Sequence, residues 1–151
     1  MLNYLANYCS QAERCLFDVR KKLQTANLSD NAEKRIIDRL LREKFIDEKR
    51  FSRSFVYDKF FFNQWGRVKI TYELRLKGIQ PDDYYEAIET IDDDEYLTVL
   101  SGILTTKKRS TKGHSSQDVY QKLFRFAAAR GFEPPVIVKV LKTILKNVND
   151  D

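Results

Sequence analysis

Side chains able to do chemistry are sparse in this sequence, and their spacing argues against catalysis. His114 is the only histidine, and it sits in the polar run 107–115, so no Ser/His/Asp or Cys/His arrangement has a supporting context. Cys9 and Cys15 are the only cysteines and stand far from His114 in sequence. A zinc site draws about four ligands of these types, so neither metal nor cofactor is expected. Asp92-Asp93-Asp94 has the charge for Mg²⁺, yet three acids opening a helix are accounted for by the helix dipole. No Gly-rich phosphate loop is present. These observations exclude the common enzyme classes and point to a binding protein.

Cations are the stronger signal. The net charge of +5 is unevenly spread: 13 Lys/Arg against 9 Asp/Glu in residues 1–62, 4 against 9 in 63–104, and 10 against 4 in 105–151. Basic ends around an acidic middle suit an acidic or polyanionic partner. The candidates are Arg20, Lys21, Lys22, Arg67, Lys69, Arg75 and Lys77, with Lys107, Lys108, Arg109 and Lys112 in the polar run. The competing reading is that they are solvated, or complement helix C-termini for a few tenths of a kcal/mol each. With Ile70 at zero and about 100° per residue, Arg67 and Arg75 share one side of their helix. Lys77 lies close to the apolar stripe and is placed to snorkel.

The elements that carry these residues read as helices. Ser10 with Glu13 has the form of a capping box. Ala12, Leu16, Val19 and Leu23 follow at helical spacing, so a helix is expected to run to about Ala26. A second starts at Asp30 with Ile36, Ile37, Leu40 and Leu41 as its stripe. A third starts at Asp47, with Phe51, Phe55 and Phe62 on one face and Tyr57, Phe60 and Phe61 elsewhere, until Asn63-Gln64-Trp65-Gly66 breaks it. Further helices are expected at about 66–77, 81–91, 93–106, 116–130 and 134–147. Residues 107–115 read as a loop. Trp65 is expected as a wedge between helices. No stretch alternates with period two, so no strand is expected.

Two junction types recur. Asn27-Leu28-Ser29-Asp30, Gly78-Ile79-Gln80-Pro81 and Gly131-Phe132-Glu133-Pro134 share one grammar. Asn27, Gly78 and Gly131 tolerate the left-handed conformation that closes a helix; an apolar residue, then a polar cap or N1 proline, opens the next. Ile46-Asp47 through Phe51 parallels Ile91-Asp92 through Tyr96, 45 residues on. The expected fold is all-α: three tandem three-helix repeats, 1–45, 46–91 and 92–148, stacked into an elongated, curved array.

In these residues the chain resembles the RecX family. The stretches that carry the likeness are Arg20-Lys21-Lys22-Leu23 leading to Asn27-Leu28, and Phe45-Ile46-Asp47-Glu48-Lys49-Arg50-Phe51. They continue with Gly66-Arg67 followed by Ile70, Leu74 and Lys77-Gly78-Ile79, and with Arg130-Gly131-Phe132 followed by Val136-Ile137. Asn27 stands where the family usually has Gly. The resemblance implies a regulator of DNA repair, recombination and the SOS response. Such a regulator binds the RecA recombinase filament on DNA and inhibits its ATPase and strand-exchange activity. Two alternatives stay open: a direct, weak DNA binder using helix-turn-helix-like pairs, and a helical scaffold for another protein.

No apolar run approaches the ~18 residues of a membrane span. Met1–Tyr4 carry no basic run or apolar stretch, so no secretory signal is expected, and two thiols without secretory context read as reduced. A monomer in the bacterial cytoplasm is expected.

Overall fold

The computed structural model describes residues 1–149. Among them the chain is all-helical: α1 (Leu2–Gln11), α2 (Leu16–Gln24), α3 (Asp30–Arg42), α4 (Glu48–Tyr57), a π-helical turn (Asp58–Phe62), α5 (Arg67–Leu76), α6 (Pro81–Glu89), α7 (Asp93–Ser110), α8 (Ser116–Ala129) and α9 (Pro134–Asn149). None of these helices is long and apolar enough to cross a membrane.

Side-chain caps start several of them. Ser29, Asp92 and Ser115 each accept a backbone N–H of the first turn, from Ala32, Glu95 and Asp118, satisfying a donor with no partner inside the helix. Three helices end in the same two-bond closure. Phe45 N–H donates to Leu40 O and Lys44 N–H to Leu41 O; Ile79 to Leu74 and Gly78 to Arg75; Phe132 to Ala127 and Gly131 to Ala128. This is the Schellman pattern, with the residue before the apolar one left-handed. Lys44 has φ 61°, Gly78 75° and Gly131 94°; Asn27 (57°) and Gln64 (57°) share that region.

Three expectations need correction. The Ser10–Glu13 box does not start a helix: Ser10 Oγ donates back to Ala6 O inside α1, Ala12 is extended, and α2 begins after Cys15. Cys15 and Asp18 form the capping box there, Asp18 Oδ2 accepting the Cys15 backbone N–H at 3.2 Å. α2 ends at Gln24, within two residues of the expected stop, and Asn27 takes the expected left-handed conformation. Phe62 does not share the buried face of Phe51. The helix widens to the π form, Asn63 N–H reaching Asp58 O five residues back, which turns Phe60 inward (0% exposed) and leaves Phe62 75% exposed. Lys107, Lys108 and Arg109 are not in a loop but in the last turn of α7. Their charges suit that end of the dipole, and the Ser110 and Thr111 hydroxyls both donate to Lys107 O.

The chain forms two compact units, Met1–Val56 with Glu73–Ala87, and Tyr57–Tyr72 with the chain from Ile88 onward. In the first, Leu5, Val19, Leu23, Ile37, Leu40 and Ile46 make a buried cluster, flanked by Leu2, Cys9, Leu16, Leu28, Ile36 and Phe45. Its helices are α1–α3, which cannot bury their apolar stripes alone. Each such side chain contributes about 1.5–3 kcal/mol when fully buried. In the second unit Tyr96 is the centre, 1% exposed, with its ring 5.8 Å from Phe60 and 5.1 Å from Phe132. Leu100, Leu104, Leu123, Ala127, Ile137 and Leu141 are buried on α7, α8 and α9.

Candidate partner-binding site

α2 presents its basic last turn because Val19 and Leu23 fix its other face in the core. With Val19 at 0% and Leu23 at 1% exposure, Arg20, Lys21 and Gln24 are turned outward. They line a cleft of about 530 Å³ in the first unit, with Lys77, Gly78, Gln80 and Asp83 on another wall. Its floor is apolar: Leu16, the 37%-exposed Phe17 and the 55%-exposed Leu76. Lys21 Nζ stands 4.5 Å from the Phe17 ring centre and Lys77 Nζ 5.3 Å, a cation–π arrangement.

The cations of this cleft are not equivalent. Lys77 is tied to Asp18 (Nζ–Oδ1 3.5 Å), and its side chain is 25% exposed. Arg20 and Lys21 make no ion pair among the described residues. Two acids also line the cleft, Glu48 and Asp83. Glu48 already serves the fold, accepting the Leu16 N–H at 2.8 Å at the start of α2. Burial holds its carboxyl above the usual carboxylate range, against the lowering effect of that hydrogen bond.

Lys22 lies apart, 5.2 Å from the Tyr8 ring, which also carries Arg14. Arg75 is exposed on α5.

In the second unit the candidates separate. Arg67 is built into the interior, its side chain 23% exposed. It donates to Ile91 O (3.1 Å) and Asp93 Oδ1 (2.7 Å), approaches Glu133 (3.8 Å) and stacks 4.1 Å over Tyr96. The Tyr96 hydroxyl accepts the Arg67 backbone N–H at 2.9 Å and donates to the Glu133 carboxylate. Burial, then the Glu133 hydrogen bond, raises its pKa far above the phenol range. Lys69 lies 4.3 Å over the Trp65 ring and Lys59 4.9 Å; Trp65 is half-buried.

Lys107 belongs to a second cleft, of about 430 Å³, whose lining includes Gln64, Thr106, Ser110, Phe126 and Arg130 and no acid. Lys107 and Arg130 both lie over the Phe126 ring, at 5.0 and 4.9 Å. Lys108 is half-buried; Arg109 and Lys112 are exposed. Phe17, Gln24, Phe126 and Arg130 were not among the residues expected from sequence. The signal was present as aromatic–cation pairs four residues apart on one helix, Phe17 with Lys21 and Phe126 with Arg130.

The α5 N-terminus shows how Gly66 and Gly131 serve the second unit. Gly66 N–H donates to Arg130 O (2.8 Å) and Val68 N–H to Gly131 O (2.9 Å). A Cβ on Gly66 would fall 2.3 Å from Gly131 O, and one on Gly131 would fall 2.3 Å from Lys69 Cβ. Only glycines allow this approach.

Residues 47–88 match the family model described as RecX, second three-helix domain, and residues 93–141 match RecX, third three-helix domain. The two matches together take in more than half the chain. The chain belongs to the RecX family. Their bounds fall close to α4–α6 and α7–α9. This chain is 32% identical over 128 residues to a regulatory protein RecX of Clostridium botulinum (strain Eklund 17B / Type B), covering 82% of this chain and 58% of that one. It is 27% identical over 146 residues to a regulatory protein RecX of Prosthecochloris aestuarii, covering 97% and 94%. It thus spans about six-tenths of the length of its Clostridium relatives. The crystal structure of RecX from Lactobacillus salivarius superposes with a TM-score of 0.85 over 94% of this chain and 92% of that one, at 20% identity.

Proposed function

We propose that this RecX-family chain is a non-catalytic regulator that docks on the RecA recombinase filament on DNA and lowers its ATPase and strand-exchange activity. One observation carries the proposal. Two cations with no ion pair among the described residues, Arg20 and Lys21, stand over an apolar floor in a cleft of a chain whose relatives are named regulatory protein RecX. Unpaired charge beside exposed apolar surface favours steering and docking of an acidic partner surface. The three helix triplets α1–α3, α4–α6 and α7–α9 are read as repeats spanning 1–45, 46–91 and 92–148, acting as a monomer in the bacterial cytoplasm.

Direct contact with DNA is the second reading. The acid-free cleft around Lys107, Phe126 and Arg130 favours it, because cations without competing carboxylates suit phosphate. One assay separates the two. Purified chain is titrated into its cognate RecA on single-stranded DNA while ATP hydrolysis is followed, beside a DNA-only binding series in rising salt. Hydrolysis that falls as the chain nears stoichiometry supports docking on the filament. Unchanged hydrolysis refutes it, and steeply salt-dependent DNA binding alone would put the second reading in its place.

A further inference from the structure

The two clefts differ in what they can hold, and the difference defines the ligand chemistry of the one in the first unit. Nucleic acid carries a charge at every phosphate, about one per 3.4 Å of each strand in duplex DNA. A strand laid in the cleft of Arg20 and Lys21 would bring successive phosphates past Glu48 and Asp83, which line the same cleft. Neither acid has a cation within ion-pair distance among the described residues. A protein segment spaces its carboxylates and fills the gaps with carbon. The floor of Leu16, Phe17 and Leu76 offers that carbon a place, and two of these side chains are more than a third exposed with no ligand present.

From this charge complementarity we infer that the first-unit cleft takes a peptide segment of the partner in which an acidic side chain neighbours an aliphatic one. The carboxylate sits between Arg20 and Lys21, and the aliphatic group lies against Phe17 and Leu76. Gln24 and Gln80 flank the cleft with amide groups able to bond the segment's backbone. Gly78 leaves the wall open: a Cβ there would meet nothing within 4 Å. The inference deepens the proposed docking on RecA and rests on it for the partner's identity, not for the chemistry of the cleft.

Two measurements on the full chain test it. In the first, ¹⁵N-labelled protein is titrated with the peptide acetyl-Glu-Leu-Glu-Glu-Leu-Leu-amide and, separately, with the oligonucleotide (dT)6. The peptide is expected to move the amide signals of Arg20, Lys21, Gln24 and Gly78 saturably, and (dT)6 to leave them in place. The inference is overturned if (dT)6 moves them as much as the peptide does, or if neither moves them. In the second, Arg20→Glu/Lys21→Glu and Phe17→Ser/Leu76→Ser variants, checked for helix content by circular dichroism, are compared with the parent for inhibition of RecA and for affinity to single-stranded DNA. Each pair is expected to lose inhibition by at least about tenfold with DNA affinity unchanged. An equal loss of DNA affinity in the charge-reversed pair would make the cleft a phosphate site and overturn the inference. If the parent chain leaves RecA unaffected while the peptide shifts persist, the choice of RecA fails and the cleft chemistry stands.

Discussion

Gly66→Ala is expected to be among the most damaging single-methyl additions this chain can suffer. The new Cβ would lie 2.3 Å from Gly131 O, 2.4 Å from Gly131 C and 2.5 Å from Phe132 N, all backbone atoms. No side-chain rotation relieves such a clash, so α5 and the α8–α9 turn must part by about 1 Å to reach ordinary van der Waals contact. That movement breaks the bonds from Gly66 N–H to Arg130 O (2.8 Å) and from Val68 N–H to Gly131 O (2.9 Å). A buried donor left unpaired costs about 1–3 kcal/mol, and forced overpacking about 1–3 kcal/mol more. The combined loss is about 2–6 kcal/mol, a large part of the 5–15 kcal/mol typical of a domain. Urea unfolding followed by Trp65 fluorescence reads the second unit directly, since Trp65 is the only tryptophan and belongs to that unit. Gly102→Ala is the control: it lies inside α7 with nothing within 4 Å of the added carbon, and is expected to stabilise by about 0.5–1 kcal/mol through helix propensity. A Gly66→Ala protein within about 0.5 kcal/mol of the parent, the usual range for a surface change, would show that the close backbone approach at Gly66 does not limit the stability of the second unit.

Other outcomes follow from single contacts. Lys44 holds φ 61° at the close of α3, so Lys44→Gly is expected to raise the urea midpoint by the equivalent of about 0.5–1 kcal/mol; a lower midpoint would contradict this. Tyr96→Phe removes the hydroxyl shared by the Arg67 N–H and Glu133 and is expected to cost about 1–3 kcal/mol, read by thermal unfolding. Burial raises the Cys15 thiol to about 11 from 9.0. The folded state therefore disfavours the thiolate, and the stability tied to this group is complete below pH 9 and lost as pH rises toward 11. Cys15→Ala is expected to flatten that decline in urea midpoints measured across this window, and an unchanged slope would exclude Cys15 as its source.

Much of the helical framework was legible because it rests on local rules. Ser29 and Asp92 cap as their types dictate, and Gly78 and Gly131 close helices where the left-handed region is needed. The failures occur where tertiary context outweighs a local pattern. Ser10 and Glu13 satisfy the letter of a capping box, but Glu13 is instead drawn to Arg50 at 2.5 Å and Ser10 to its own helix. A buried thiol, an uncommon cap, takes that role at Cys15. Phe62 departs from the face that a constant 3.6-residue step gives it, because one widened turn shifts the register. Among the cations, composition marks candidates but not occupation. Arg67 is consumed by Asp93, Ile91 and Tyr96, whereas Arg20 and Lys21, alike in type, face a cleft. Only packing around Val19 and Leu23 separates them.

The positive pole of a helix is a common seat for phosphate, because free backbone amides converge there. In α5 that seat is plugged from within: Gly66, Arg67 and Val68 all spend their amides on Arg130 O, the Tyr96 hydroxyl and Gly131 O. The amides that open α5 are thus spent inside the second unit, so this helix start works as an internal clasp rather than as a seat for an outside anion.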